Sequence, residues 1–212
     1  MSDAALAGVT FDDAKREFQQ AWDDPSHTRF ELPPVNVNKI LKDRYRATPD
    51  KRVTRAMVWD METKKAWDPL TYIPYVVSEA RSWDRHKLQV GSERFFRSSM
   101  QRGWITPGRG RVLEDVYISS TEQDIFFMGR AQMPGEDGNT LEASQFQPLF
   151  HVEHGVDGAE EEPLNLWRIV LLTPQRDRRY EEPFEQMVRA GLLPGFIEIY
   201  IEKGLGVRLT RR

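Results

Sequence analysis

Arg111-Val-Leu-Glu-Asp-Val-Tyr-Ile-Ser119, followed by Ser120-Thr121-Glu122-Gln123-Asp124 and then Ile125-Phe-Phe-Met-Gly-Arg-Ala131, decides the fold class. Two runs rich in β-branched and aromatic residues flank five polar ones, which reads as an antiparallel hairpin of strands 111–119 and 125–131. Further strands are expected downstream. Residues 146–154 place Phe146, Phe150 and Val152 on one face, and 164–173 are apolar on both faces, as a central strand would be. Glycine-rich and acidic segments at 134–144 and 155–163 read as loops. Thr106-Pro107-Gly108-Arg109-Gly110 is a turn ahead of the hairpin. A helix at 181–192 carries the stripe Phe184, Met187, Val188 and Leu192, with Pro183 in its first turn and Gly191 at its end. The chain then closes with strands 196–202 and 205–210.

Upstream, Phe11, Ala14, Phe18 and Trp22 recur at helical spacing, with Thr10 and Asp13 placed as a capping box. A short helix is expected at 36–46 from Asn36, after an extended stretch ending in Pro33-Pro34. Residues 53–67 read as a hairpin turning at Glu62-Thr63-Lys64-Lys65. Residues 72–83 and 92–102 read as helices, the second ended by a left-handed Gly103. Clustered hairpins without regular strand–helix alternation give an α+β class: a mainly antiparallel sheet, helices packed on one face, and an N-terminal helical arm over residues 1–50 ahead of an α+β domain at 51–212.

Composition bounds the function. The 212 residues include no cysteine, which excludes disulfides and thiolate metal sites. No apolar run reaches the length of a membrane span, and acidic Met1–Leu6 lacks the features of a signal peptide, so the expectation is a soluble cytoplasmic protein without membrane partners. Residues 1–106 hold 18 Lys and Arg against 15 Asp and Glu, and residues 107–212 hold 12 against 18. Neither half is basic enough to require nucleic acid.

Three groups of residues invite a functional reading. His151-Val152-Glu153-His154 gathers ligand-type side chains, with His151 and Glu153 on one strand face and His154 opposite; a divalent metal or a general base with an orienting acid would use such groups. A strand end where polar residues meet solvent beside an acidic loop is the preferred account of them, and no metal is assigned. Arg102, Trp104, Arg109 and Arg111, with Arg208 and Arg211 at the end of the chain, suit phosphate contacts with a stacking ring, or pairing with neighbouring acids. Trp59, Trp67 and Trp83 suit a partner interface, or a core. No nucleophile elbow, P-loop or dinucleotide fingerprint is present, and no cofactor is indicated. The resulting expectation is a non-catalytic interaction subunit of a larger assembly with other protein subunits as partners. The alternatives are a nucleic-acid-binding component using the Arg-rich loops, and a small-molecule or metal-dependent enzyme centred on His151, Glu153 and His154.

Overall fold

The computed structural model describes residues 9–89 and 91–212, so the reading of Met1–Leu6 lies outside the described residues. The architecture is α+β, as expected. A seven-stranded antiparallel sheet has the order β1-β10-β9-β6-β5-β4-β3, built from β1 (Thr28–Asn36), β3 (Val77–Lys87), β4 (Ser92–Arg102), β5 (Arg109–Ser119), β6 (Asp124–Arg130), β9 (Phe150–Ala159) and β10 (Glu162–Leu171). Two small ribbons accompany it. One pairs β2 (Tyr45–Thr48) with β11 (Arg208–Arg211), and the other pairs β7 (Gln132–Pro134) with β8 (Thr140–Glu142).

The β5–β6 hairpin forms as the sequence implied, with Tyr117 opposite Phe126 and Val116 opposite Phe127. Strand alternation sends these pairs to opposite faces. Tyr117, Phe126, Met128 and Val170 form one apolar cluster with Phe11, Phe18 and Ala21 of helix α1 (Phe11–Asp23). This helix has the expected capping box: Asp13 N donates to Thr10 Oγ1 (3.2 Å) and Thr10 N donates to Asp13 Oδ2 (2.8 Å). The other face carries Phe95, Val116, Phe127, Phe150, Val152 and Ile169, and the remaining helices cover it. Of the first fifty residues, 28–36 form the edge strand β1, and α2 (Val37–Arg44) follows with Asn36 as its cap, as expected.

Several local expectations fail, for identifiable reasons. Residues 53–67 form no hairpin; Thr54 caps helix α3 (Arg55–Trp67), whose buried side chains are Val58, Met61, Glu62, Lys65 and Ala66. Those positions follow helical spacing, but two of the five are charged, and the sequence alone presents them as a polar turn. The expected helices at 72–83 and 92–102 are mostly strand. Only Pro69–Tyr72 is helical (α4), and Gly103 closes the β4–β5 turn by donating to Gly108 O (3.1 Å). β4 is buried on both faces, which removes the alternation that marks a strand. The segment read as strand 196–202 is helix α6 (Gly195–Ile199) running into a π-helical turn, Tyr200–Gly204, after α5 (Glu182–Ala190). The acidic loop at 155–163 is mostly strand, because β9 and β10 run on to a tight turn at Glu160-Glu161. The loop at 134–144 contains most of the β7–β8 ribbon.

Gly129 shows how closely two strands meet. A Cβ there would lie 2.3 Å from Phe150 O, so only glycine lets β6 run against β9 at that point.

Candidate functional site: an aromatic-walled cavity with a charged base

Between the sheet and helices α3–α6 lies a cavity of about 560 Å³, within the usual range for small-molecule sites. Its walls come from distant parts of the chain: Phe127, Phe150, Val152, Trp167 and Ile169 from the sheet, then Trp104, Phe184, Met187 and Phe196 from the loops and helices. The register explains the convergence, since Phe127 pairs with Val152, Val152 with Ile169, and His154 with Trp167. At the rim, Gly195 lets Tyr75 close in; a Cβ would sit 2.9 Å from the tyrosine ring.

The base is polar and buried. Lys65 Nζ lies 2.5 Å from Glu62 Oε2 and 2.8 Å from His154 Nδ1, and 3.8 Å from the Phe196 ring centroid. Asn165 Nδ2 donates to Glu62 Oε1 (2.8 Å), while Oε2 of this fully buried carboxylate has the Lys65 ion pair and no aligned hydrogen bond. Beside this trio, Arg97 Nε donates to Glu114 Oε2 (2.8 Å) and Arg97 Nη1 to Ala66 O (2.9 Å), with the guanidinium 4.6 Å from the Phe127 ring centroid. Burial opposes every one of these charges. For Glu62 the adjacent Lys65 and His154 outweigh burial and hold the carboxyl down at about 2. Burial lowers Lys65 to about 8 against the pull of Glu62. Burial, reinforced by Lys65, lowers His154 to about 4, so its imidazole is neutral at pH 7. His154 Nε2 makes no hydrogen bond among the described residues. The indole Nε1 of neighbouring Trp167 is buried without a partner.

The residues singled out in the sequence are dispersed. His154 faces the cavity, whereas His151 and Glu153 face α1. His151 Nδ1 accepts from Gly129 N (3.1 Å) and its Nε2 lies 3.7 Å from Glu17 Oε1, while Glu153 pairs with Arg168. The three do not meet at one site, and no group of three or more His, Asp or Glu residues suited to a metal ion occurs among the described residues. Arg102, Trp104 and Arg211 line the cavity, with Arg211 bound to Glu198 at 2.9 Å. Arg109, Arg111 and Arg208 are exposed outside it; Arg109 Nη1 donates to Val76 O (2.7 Å). Trp83 is 7% exposed and tilts against Phe96, Trp59 is half-buried, and Trp67, 37% exposed, stands edge-on to Phe95. Sequence reasoning missed Glu62, Lys65, Arg97 and Glu114. Helical spacing of Val58, Met61, Glu62, Lys65 and Ala66 was the available signal for the first two.

A broader depression between α2 and β2, about 910 Å³, is rimmed largely by exposed charged side chains such as Lys39, Asp50 and Arg52. It has no comparable apolar wall.

No family model and no curated protein matches the chain. Among solved structures, the Zhui aromatase/cyclase from a Streptomyces species is similar with a TM-score of 0.51 and 11% identity, covering 83% of this chain and 95% of that one. Ginseng major latex-like protein 151 from Panax ginseng is similar at a TM-score of 0.40 and 14% identity, covering 77% and 94%. The chain shares the helix-grip fold of the Zhui structure. This corrects the expectation of a non-catalytic assembly subunit: the similar fold is that of an aromatase/cyclase, and the aromatic residues chosen as contacts are partly core and cavity wall. Protein-subunit partners and nucleic acid find no support in these comparisons. Among the described residues, no helix is long and apolar enough to cross a membrane.

Proposed function

We propose that this chain binds a small, largely apolar, ring-containing organic molecule in the cavity between the sheet and α3–α6. The observation that carries this reading is the combination of about 560 Å³ of space, aromatic walls, and a few polar groups gathered at one end. Apolar surface supplies affinity in such sites, and a few placed polar groups supply orientation. Trp104, Trp167 and Phe196 offer ring faces and edges, and aromatic contacts of this kind add to plain burial. The helix-grip fold supports the reading, since a sheet folded against helices has an interior able to hold a guest. The Zhui neighbour is named as an aromatase/cyclase, and chemistry on a ring-forming guest would fit the same cavity.

N-phenyl-1-naphthylamine, an uncharged dye that brightens in apolar surroundings, provides the test. Saturable fluorescence enhancement at a 1:1 ratio is expected. Met187→Trp fills a half-buried part of the wall and should abolish the signal with the circular dichroism spectrum unchanged. No enhancement with the native chain, or undiminished binding by Met187→Trp, removes the proposal.

A further inference from the structure

His154 lines the cavity and makes no hydrogen bond through Nε2 among the described residues, and the hydrogen bonding around its ring fixes the character of that atom. His154 Nδ1 and Glu62 Oε2 both face the Lys65 ammonium, at 2.8 Å and 2.5 Å from Nζ. Nδ1 and Glu62 Oε2 are 3.2 Å apart, without the alignment of a direct hydrogen bond. An ammonium has three protons and no lone pair, so at 2.8 Å from Nδ1 it donates to that nitrogen, while it holds Glu62 Oε2 as an ion pair. A ring nitrogen that accepts carries no proton, which places the proton of the neutral imidazole on Nε2. Trp167, Phe127 and Phe196 pack around the ring, with centroids at 5.1, 5.6 and 5.8 Å, and hold its plane. Since His154 lines the cavity and Nε2–H has no partner among the described residues, this donor is available to a guest.

The charges at the base cancel. Glu62 offsets Lys65, and Glu114 offsets Arg97, each across one short ion pair. A carboxylate or sulfonate reaching this base would lose its water among cations already held in ion pairs, a cost that an uncharged oxygen avoids.

We propose that His154, held in its Nε2–H form by Lys65 and Glu62, is the donor that anchors the guest, so that the cavity selects ring compounds bearing a ketone or comparable uncharged oxygen acceptor. This rests on the small-molecule reading above and adds the polar selectivity of that same site. Lys65 and Glu62 are positioning residues in this scheme; neither has to touch the guest.

Three naphthalenes of similar size separate the possibilities: 2-acetonaphthone, 2-isopropylnaphthalene and 2-naphthoate, each competed against N-phenyl-1-naphthylamine. In His154→Phe, the affinity of the ketone relative to the hydrocarbon should drop about tenfold, the size of one good hydrogen bond. The naphthoate should bind the native chain more weakly than the ketone. Nitrogen-15 NMR of the native chain at pH 7 should show a protonated Nε2 and a bare Nδ1 at His154, and Lys65→Met should disturb that assignment. A ketone-to-hydrocarbon ratio unchanged in His154→Phe, a preference for naphthoate, or a proton on Nδ1 overturns the anchor while leaving the cavity reading intact. Failure of all three compounds to displace the dye, or of the dye to bind, overturns both. The NMR assignment uses only the native chain, so it decides the anchor even if a variant does not fold.

Discussion

At the level of single residues, the two faces of the sheet handle buried charge differently. Both faces pair buried ions, Lys65 with Glu62 on one and Arg94 with Asp115 on the other, but the face under α1 also contains a carboxyl that keeps its proton. Burial, followed by the adjacent Glu153, pushes Asp124 up to about 8. Lys15 from α1 and Arg168 from β10 also lie near this group, and Arg168 is committed to Glu153. An acid whose folded pKa exceeds its unfolded one near 3.8 binds more protons when folded, so it lowers stability as pH rises between those values. Asp124→Asn should therefore stabilise the protein at pH 8 by roughly 2 kcal/mol relative to its effect at pH 6.5, at about 1.4 kcal/mol per pH unit. Urea unfolding at the two pH values measures this difference. Equal effects at both would show that Asp124 is ionised throughout.

At the level of elements, α3 supports the cavity from below. A buried ion pair contributes little net stability, but removing one partner strands the other, at about 3–5 kcal/mol. Lys65→Met should cost that much in chemical denaturation. Adding Glu62→Gln should recover a measurable part of it, because the two residues share one charge balance. Additive losses would mean that the pair is not coupled. The same element shows where the sequence was legible. α1 could be read from Thr10, Asp13 and its stripe because its charges stay on the solvent side, and the β5–β6 hairpin could be read because its polar residues fall in the turn. α3 could not, since the residues that look like a turn are the buried ones. β3 and β4 were misread for another reason: Ile73, Val76, Val77, Ala80 and Trp83 happen to fall at helical spacing, and β4 buries both faces. Of the site itself, the sequence offered His154, Trp104, Arg102 and Arg211. It could not show that His154 meets Lys65, 89 residues away, because only strand order and register bring them together.

At the level of the whole molecule, these titrations combine into a stability optimum. His151 and His154 are both lowered to about 4, chiefly by burial. A base with a depressed folded pKa leaves the unfolded chain holding the extra proton, so stability is lost as pH falls from about 6.5 toward 4, by roughly 3 kcal/mol for each imidazole. Asp124 has the opposite slope and dominates between about 6.5 and 8, where Lys65 begins to oppose it only near the upper end. The urea midpoint should peak near pH 6.5 and decline on both sides; a midpoint rising steadily from pH 5 to 8 would refute this. The same titration bears on the cavity, because protonating His154 at Nδ1 would end its acceptance from Lys65 and place a third cation beside Lys65 and Arg97.

The outermost strand β1 has a further consequence. Its register against β10 slips between Leu32 and Val35, where Pro33 and Pro34 stand exposed. Two consecutive residues without an amide proton interrupt the row of donors along that rim. A second molecule offering its own backbone along this rim would find no continuous ladder, so β1 is a poor seed for a sheet that spans two molecules.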